Sequence, residues 1–377
     1  MTMLEFTIER DALLKAVSRI QGIVERRNTI PILSNLKVSS NDDGSIEIVG
    51  TDLDVEVVGN VAASVGQSGC VTVSSQILFD ILRKLQGGSQ VKVSSKDDSS
   101  IALRSGRSRF TLSTLPADDF PQLSKDELPW RFSAPAHVLR GLIDRSRFAI
   151  CTEETRYYLN GIYLHIVERD SVNVLRAVAT DGHRLAIVDA QAPLGSEGMP
   201  GVIVPRKAVG EIRKLIDDSA EDVSVGVSET QIMVDVGGAC LTSKLIDGTF
   251  PEYDRVVPSG STTDVDVLVA ELASAVSRVS AVHSDRSCPI KICVTQNGMQ
   301  VSARSPDHGD ASDDIDASMH GDAISIAFNG RYLIDILDQD KGAGVSTRIM
   351  MTKSDAPAVF KTGDGGDALY VLMPMRA

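Results

Sequence analysis

Asp181, His183 and Arg184 stand within four residues of one another in the stretch VATDGHRLAI, at the end of an apolar run. An acid, a base and a cation at that spacing are the groups of general acid–base catalysis. Such chemistry needs a nucleophile or a metal to act on. The chain has no GxSxG elbow and no HExxH helix, and no Walker A sequence that would cradle a nucleotide. Carboxylates are abundant, but no spacing singles out a pair. The five cysteines, Cys70, Cys151, Cys240, Cys288 and Cys293, are odd in number and form no CxxC, which predicts reduced thiols. Cys288 and Cys293 lie five apart with no histidine at ligand spacing, so no zinc site is expected. The acidic run PDHGDASDDID (Pro306 to Asp316) lacks the order of an EF-hand loop and reads as a solvated edge. No catalytic residue, metal or cofactor is therefore assigned. The other reading of the opening stretch is a turn. Asp181 would bond backbone amides there, and Gly182 would supply a conformation that other residues resist. A nuclease or hydrolase built on Asp181 and His183, and a plain multidomain interaction scaffold, stand as alternative readings of the chain.

A chain of 377 residues allows two or three domains. Its 42% hydrophobic and 24% charged content is that of a globular protein, and with only 4% aromatic residues the core must be mostly aliphatic. The net charge of −13 argues on its own against a nucleic-acid partner. It is an average, however, and an acidic chain can carry a basic face. The start MTMLEFTIERD has early acidic residues and no long apolar run, unlike a signal peptide. No apolar run approaches the roughly 20 residues that span a bilayer. The expected location is cytoplasmic.

The sequence repeats itself. STLPADDFP begins at Ser113 and SKLIDGTFP at Ser243, 130 positions later. SQILFDILRKL at Ser75 and PRKAVGEIRKL at Pro205 are offset by the same 130, and NGRYLIDIL follows at Asn329 after another 124. TDLD at Thr51 and TDGH at Thr180 match at 129. Three strand-then-helix starts open the copies: LEFTIERDALLKAVSRI, WRFSAPAHVLRGLIDRSRFAI and DVDVLVAELASAVSRVSAV. A shared order and a shared offset imply one unit used three times. The expected domains are 1–128, 129–258 and 259–377. Short β-runs with Asp-Asp-Gly and Asn-Gly turns between the helices make each unit α+β with antiparallel hairpins. Helices cover one face of such a sheet, so the other meets solvent, another sheet or a partner.

With that repeat plan, the chain resembles the bacterial sliding clamps, the beta subunits of DNA polymerase III, over its whole length. The motifs that carry the resemblance are RRNTIPILSNL at Arg26, GTDLD at Gly50, RSGRSRFTLSTLPADDFP at Arg104, RYYLNGIYL at Arg156, ATDGHRLA at Ala179, PRKAV at Pro205, TSKLIDGTFPEYDRVVP at Thr242 and YVLMPMR at Tyr370, in family order. The resemblance implies an α+β fold of three clamp domains per chain, sheets outside and helices inside, closed by a second copy into a head-to-tail dimeric ring around duplex DNA. It implies a processivity factor without enzymatic activity. Its expected partners are duplex DNA without sequence preference, a second copy of itself, the catalytic subunit of DNA polymerase III, the clamp loader, and other polymerases and repair proteins.

The residues themselves fit such a ring. In RDALLKAVSRIQ an apolar stripe of Leu13, Ala16, Val17 and Ile20 leaves Lys15 and Arg19 on another face. In AHVLRGLIDRSR, the equivalent stretch of the second unit, Arg140, Arg145 and Arg147 outnumber Asp144. Lys207, Arg213 and Lys214 mark the next one, where Glu211, Asp217 and Asp218 dilute them. Sparse cations suit a protein that touches phosphates weakly and reads no bases. The resemblance carries DNA contacts onto Arg27, Tyr157, Tyr158, Lys207, Asn329 and Tyr332. It places Phe110 and Leu112 of the edge strand RFTLS against Ala281 and Val282 of a second copy. It makes the opening stretch one wall of an apolar groove that receives short peptides, formed by Leu159, Thr180, Gly182, His183, Arg184, Leu185, Pro251, Val256, Val371, Met373, Pro374 and Met375. Aliphatic and Met side chains adapt to related peptides, and His183 and Arg184 would fix their direction. The chain departs from the family pattern at Ala377, where a larger aliphatic residue is more usual, and around SDAPAVF.

Overall fold

The computed structural model describes residues 4–24, 29–41, 43–97, 99–124, 126–217, 222–283, 285, 288–340, 342, 344–362 and 367–376. Among them are the helices α1 (Arg10–Gln21), α2 (Ser75–Lys84), α3 (Ala136–Ser146), α4 (Arg206–Asp217), α5 (Val269–Val279) and α6 (Gly330–Leu337). Every one directly follows a strand. Glu5–Glu9, Trp130–Pro135 and Thr263–Leu268 lead into α1, α3 and α5; Cys70–Ser74, Val202–Pro205 and Ile324–Asn329 lead into α2, α4 and α6. The repeated strand-then-helix pattern of the sequence is thus repeated in space.

Apolar spacing explains how the helices sit. Leu13, Ala16, Val17 and Ile20 of α1 are all buried, as are Leu272, Ala275, Val276 and Val279 of α5. Residues three and four apart share a helix face, so each set forms one stripe toward the core. The start of α6 is capped by Asn329, whose side-chain oxygen accepts from the backbone N–H of Arg331 (3.0 Å) and Tyr332 (3.3 Å).

The chain forms two compact units, and every neighbouring pair of strands described is antiparallel. The first unit comprises Met1–Arg140, Pro193–Pro200 and Lys207–Leu245. It holds a five-stranded sheet with Ser64–Gln67 and Ser108–Ser113 as its outer strands, and an eight-stranded sheet. In the eight-stranded sheet Val55–Ala62 pairs with Ala239–Lys244, Leu241 lying opposite Val57. The second unit comprises Gly141–Ala192, Gly201–Arg206 and Ile246–Ala377. It holds a nine-stranded sheet and a four-stranded sheet whose outer strand is Gly309–Ile315. In the nine-stranded sheet Arg184–Gln191 pairs with Ala368–Leu372, Leu185 opposite Val371. The central third of the sequence therefore gives strands to both large sheets.

Candidate functional site

The stretch that opened the sequence reading is a tight turn between Val172–Thr180 and Arg184–Gln191. Its hydrogen bonds close on themselves. Asp181 Oδ1 accepts from the backbone N–H of His183 (2.9 Å) and Arg184 (3.0 Å). Thr180 Oγ1 donates to the Arg184 carbonyl (2.7 Å) and accepts from the Gly182 N–H (3.1 Å). Gly182 has φ +87°, and a Cβ there would sit 2.7 Å from Arg156 Nη1. That guanidinium donates to the Asp181 carbonyl (3.0 Å) and pairs with Glu153, which holds the Glu153 carboxyl below its ordinary range. Asp181 is thus a structural acceptor in the turn.

Arg184 is engaged at every guanidinium nitrogen. Nε donates to Asp181 Oδ2 (3.0 Å), Nη1 to Asp335 Oδ2 (2.6 Å) and Nη2 to the Phe148 carbonyl (2.6 Å). Its plane lies 4.4 Å from the Tyr332 ring centroid and 5.1 Å from that of Phe148. Its guanidinium thereby ties the turn to Asp335 and to the backbone of Phe148. His183 is exposed, stacks on Tyr332 at 6.1 Å, and its carbonyl accepts from the Met373 N–H (2.9 Å).

Beneath this turn lies a buried cluster that includes Leu159, Val178, Leu185, Ile187, Ile203, Phe250, Tyr253, Val359 and Val371. Of the groove candidates, Leu159, Leu185 and Val371 belong to this cluster and are buried. Val256 is 52% exposed, Met373 41% and Met375 36%, and Pro251 is exposed as well. An exposed apolar rim on a sealed apolar floor is what a docking site for apolar side chains requires. Met375 is held by its N–H to the Ala327 carbonyl (2.7 Å), so the rim is ordered by backbone bonds.

The rim at Pro251 and Val256 stands on a second polar cluster, which sequence reasoning missed. His165, Arg176 and Asp189 lie side by side on three neighbouring strands, and Tyr253 closes over them. Burial, then the Arg176 cation, lowers the His165 pKa to about 4. The hydrogen bonds from Arg176 to Asp189 raise the guanidinium pKa still higher, and burial raises that of the Tyr253 phenol. A His, an Arg and an Asp at cross-strand positions in successive β-runs was the signal available for this cluster.

The DNA-contact candidates are dispersed. In the first unit Lys15 is exposed, Arg19 Nη1 donates to the Gly237 carbonyl (2.9 Å), and Lys207 pairs with Asp52. Glu211, read as diluting the cations of α4, is only 6% exposed and pairs with Lys214 at 2.7 Å. It also faces Gly22, where a Cβ would approach its carboxylate at 2.5 Å, so it is turned inward while still offsetting the charge of the exposed Lys214. In the second unit Tyr157 is 54% exposed. Tyr158 meets it edge-to-face at 5.7 Å and packs against the groove's core. Asn329 caps α6, and Tyr332 lies against His183 and Arg184, which brings a DNA candidate and groove candidates together. Arg27 and Ala377 lie outside the described residues.

Phe110 and Leu112 lie half-buried on one face of the outer strand Ser108–Ser113. Ala281 is exposed and Val282 half-buried in the turn Ser280–Val282. Among the described residues no group of three or more His, Cys, Asp or Glu is placed to hold a metal, and no helix is long and apolar enough to cross a membrane.

Comparison with known proteins agrees along the whole chain. Family models of the DNA polymerase III beta subunit match in order: the N-terminal domain at residues 4–124, the central domain at 133–252 and the C-terminal domain at 254–376. A beta sliding clamp of Caulobacter vibrioides is 42% identical over 374 residues, covering 99% of this chain and 100% of the relative. The sliding clamp of Bartonella birtlesii, solved bound to griselimycin, is 42% identical with a TM-score of 0.95 and full coverage of both chains. That of Pseudomonas aeruginosa, also solved with griselimycin, is 35% identical with a TM-score of 0.93, covering 99% of this chain and 100% of that one.

Proposed function

The chain belongs to the DNA polymerase III beta-subunit family, the bacterial sliding clamps, and on that premise we propose which of its parts serve each task. The protein is a DNA sliding clamp. It works as a head-to-tail dimeric ring on duplex DNA, tethers the replicative polymerase and other clamp-binding proteins, and has no catalytic activity of its own. Its three domains span 1–128, 129–258 and 259–377, and it acts in the cytoplasm. Partner peptides, and griselimycin, dock on Val256, Met373, Met375 and Pro251, with Leu159, Leu185 and Val371 as floor and the Thr180–Leu185 turn and Pro374 as the second wall. The observation that carries this reading is the ordered, exposed apolar rim over a buried apolar floor.

Duplex DNA is met by Lys15, Arg19, Arg27, Tyr157, Tyr158, Lys207, Asn329 and Tyr332. Few cations, with Lys207 ion-paired and Arg19 hydrogen-bonded within the chain, give a weak phosphate attraction that permits sliding. Two copies join where Phe110 and Leu112 meet Ala281 and Val282. Charge supports this pairing. Arg107 and Arg109 are exposed on or beside one outer strand, and Asp310 and Asp314 are exposed on the other. The decisive experiment loads the full-length protein onto nicked circular DNA with its loader and then linearises the DNA. A topological clamp is retained on the circle and lost on cutting. Equal retention on both forms would overturn the reading.

A further inference from the structure

We propose that His165, Arg176 and Asp189 are positioning residues for the peptide groove, acting through Tyr253 to fix the turn that carries Pro251 and Val256. The inference rests on the groove reading above.

The three side chains form one row across three strands, His165 opposite Arg176 and Arg176 opposite Asp189. Asp189, only 6% exposed, anchors the row by taking Arg176 Nε (2.7 Å) and Nη2 (2.8 Å) in a two-pronged pair. The remaining nitrogen, Nη1, is left to reach the Tyr253 hydroxyl (3.3 Å), with Asp254 at 3.9 Å beyond it. His165 Nε2 lies 3.0 Å from the same hydroxyl. Since Arg176 can only donate, the phenol accepts from it, and with His165 protonated at Nδ1 the phenol gives its own proton to Nε2. That direction requires a neutral imidazole, and the depressed His165 pKa supplies the neutrality. The ring of His165 is held in turn by Tyr163, stacked on it at 4.5 Å and on Phe250 at 4.8 Å.

Tyr253 is therefore fixed at both its ring and its hydroxyl, and it is the first residue of the turn Tyr253–Val256. Its N–H donates to the Pro251 carbonyl (2.8 Å), tying the preceding proline to the same anchor. Val256, 52% exposed, has little packing of its own and takes its place from the backbone beneath it. Apolar contact holds a ring at a depth; directional bonds at its tip also fix its tilt. The row thus sets where the wall stands relative to the floor.

Griselimycin binding to the full-length protein at neutral pH, measured by calorimetry, tests this. Val256→Ser reports on the wall itself. Tyr253→Phe removes only the hydroxyl, and His165→Leu removes its acceptor together with the ring stacked on Tyr163. His165→Gln keeps an acceptor oxygen for the phenol. Val265→Ala, a buried deletion on Thr263–Leu268, matches them as a general loss of stability. The expected result is that Tyr253→Phe and His165→Leu weaken binding about tenfold, equivalent to about 1.4 kcal/mol. His165→Gln restores most of the affinity, and Val265→Ala leaves it unchanged. Faster hydrogen exchange confined to 252–257 would accompany the two weak variants. If Val256→Ser weakens binding while Tyr253→Phe and His165→Leu do not, or if Val265→Ala weakens it equally, the positioning proposal falls and the groove stands. If Val256→Ser itself has no effect, the groove reading falls, and this proposal with it.

Discussion

A single arginine shows how the site is held. Arg184 has a side chain only 9% exposed, and it joins the Asp181 turn to Asp335 on α6 and to the backbone of Phe148. A lysine keeps the charge but has neither the planar fork nor the stacking surface. Arg184→Lys is expected to cost about 2–3 kcal/mol of stability, since partially buried acceptors lose their donors. Urea denaturation of the full chain would measure it, and a change below about 0.5 kcal/mol would show that the fork is dispensable. His165 makes a second prediction at this scale. Its folded pKa of about 4 lies below the ordinary value of 6.5, so between those values the unfolded chain binds more protons than the folded one. Its contribution is complete above pH 6.5 and is lost as pH falls toward 4. Arg176, Asp189, Asp254 and Tyr253 are the charged and titratable groups that tune it. His165→Gln should flatten that part of the stability profile, and an unchanged slope would contradict a buried neutral imidazole.

Helix ends and strand registers govern the next scale. Asn329 caps α6 with two backbone acceptances, so Asn329→Ala should cost about 1 kcal/mol, read as a lower denaturation midpoint with unchanged slope. Substitution by Asp, which also caps, should recover most of it. The same variants separate two roles for Asn329, because a cap is rescued by Asp whereas a contact with phosphate is not. The elements were legible in the sequence because one apolar stripe per helix and short β-runs between turn residues repeat three times. Leu13, Ala16, Val17 and Ile20 are buried as their spacing implies. Other features depend on partners remote in the chain and leave no local period. Asp335 lies 151 positions from Arg184, and nothing near either residue signals the pair. Glu211 looked like one more surface charge, although it faces the bare backbone of Gly22. The row of His165, Arg176 and Asp189 required the strand register, which alternation alone does not give. The proposed groove residues rest on family motifs, while burial divides them into buried and exposed sets.

For the whole molecule, the two outer strands make the testable feature, since one carries Arg109 beside Arg107 and the other Asp310 and Asp314. Changing both arginines to Asp should weaken the dimer about tenfold or more and make its salt dependence reverse, as seen by sedimentation at several NaCl concentrations. Adding Asp310→Arg and Asp314→Arg to the same chain should restore association; failure of that rescue would mean the two edges do not meet. The pairing within each large sheet has another consequence. Val55–Ala62 is zipped to Ala239–Lys244, and Arg184–Gln191 to Ala368–Leu372, so both ladders run between different thirds of the sequence. A gene fragment encoding one third alone would leave a bare strand edge ready to capture other chains. Repetition here is not modularity: the copies can drift in sequence one at a time, but none can be excised, shuffled or transplanted as a self-sufficient cassette.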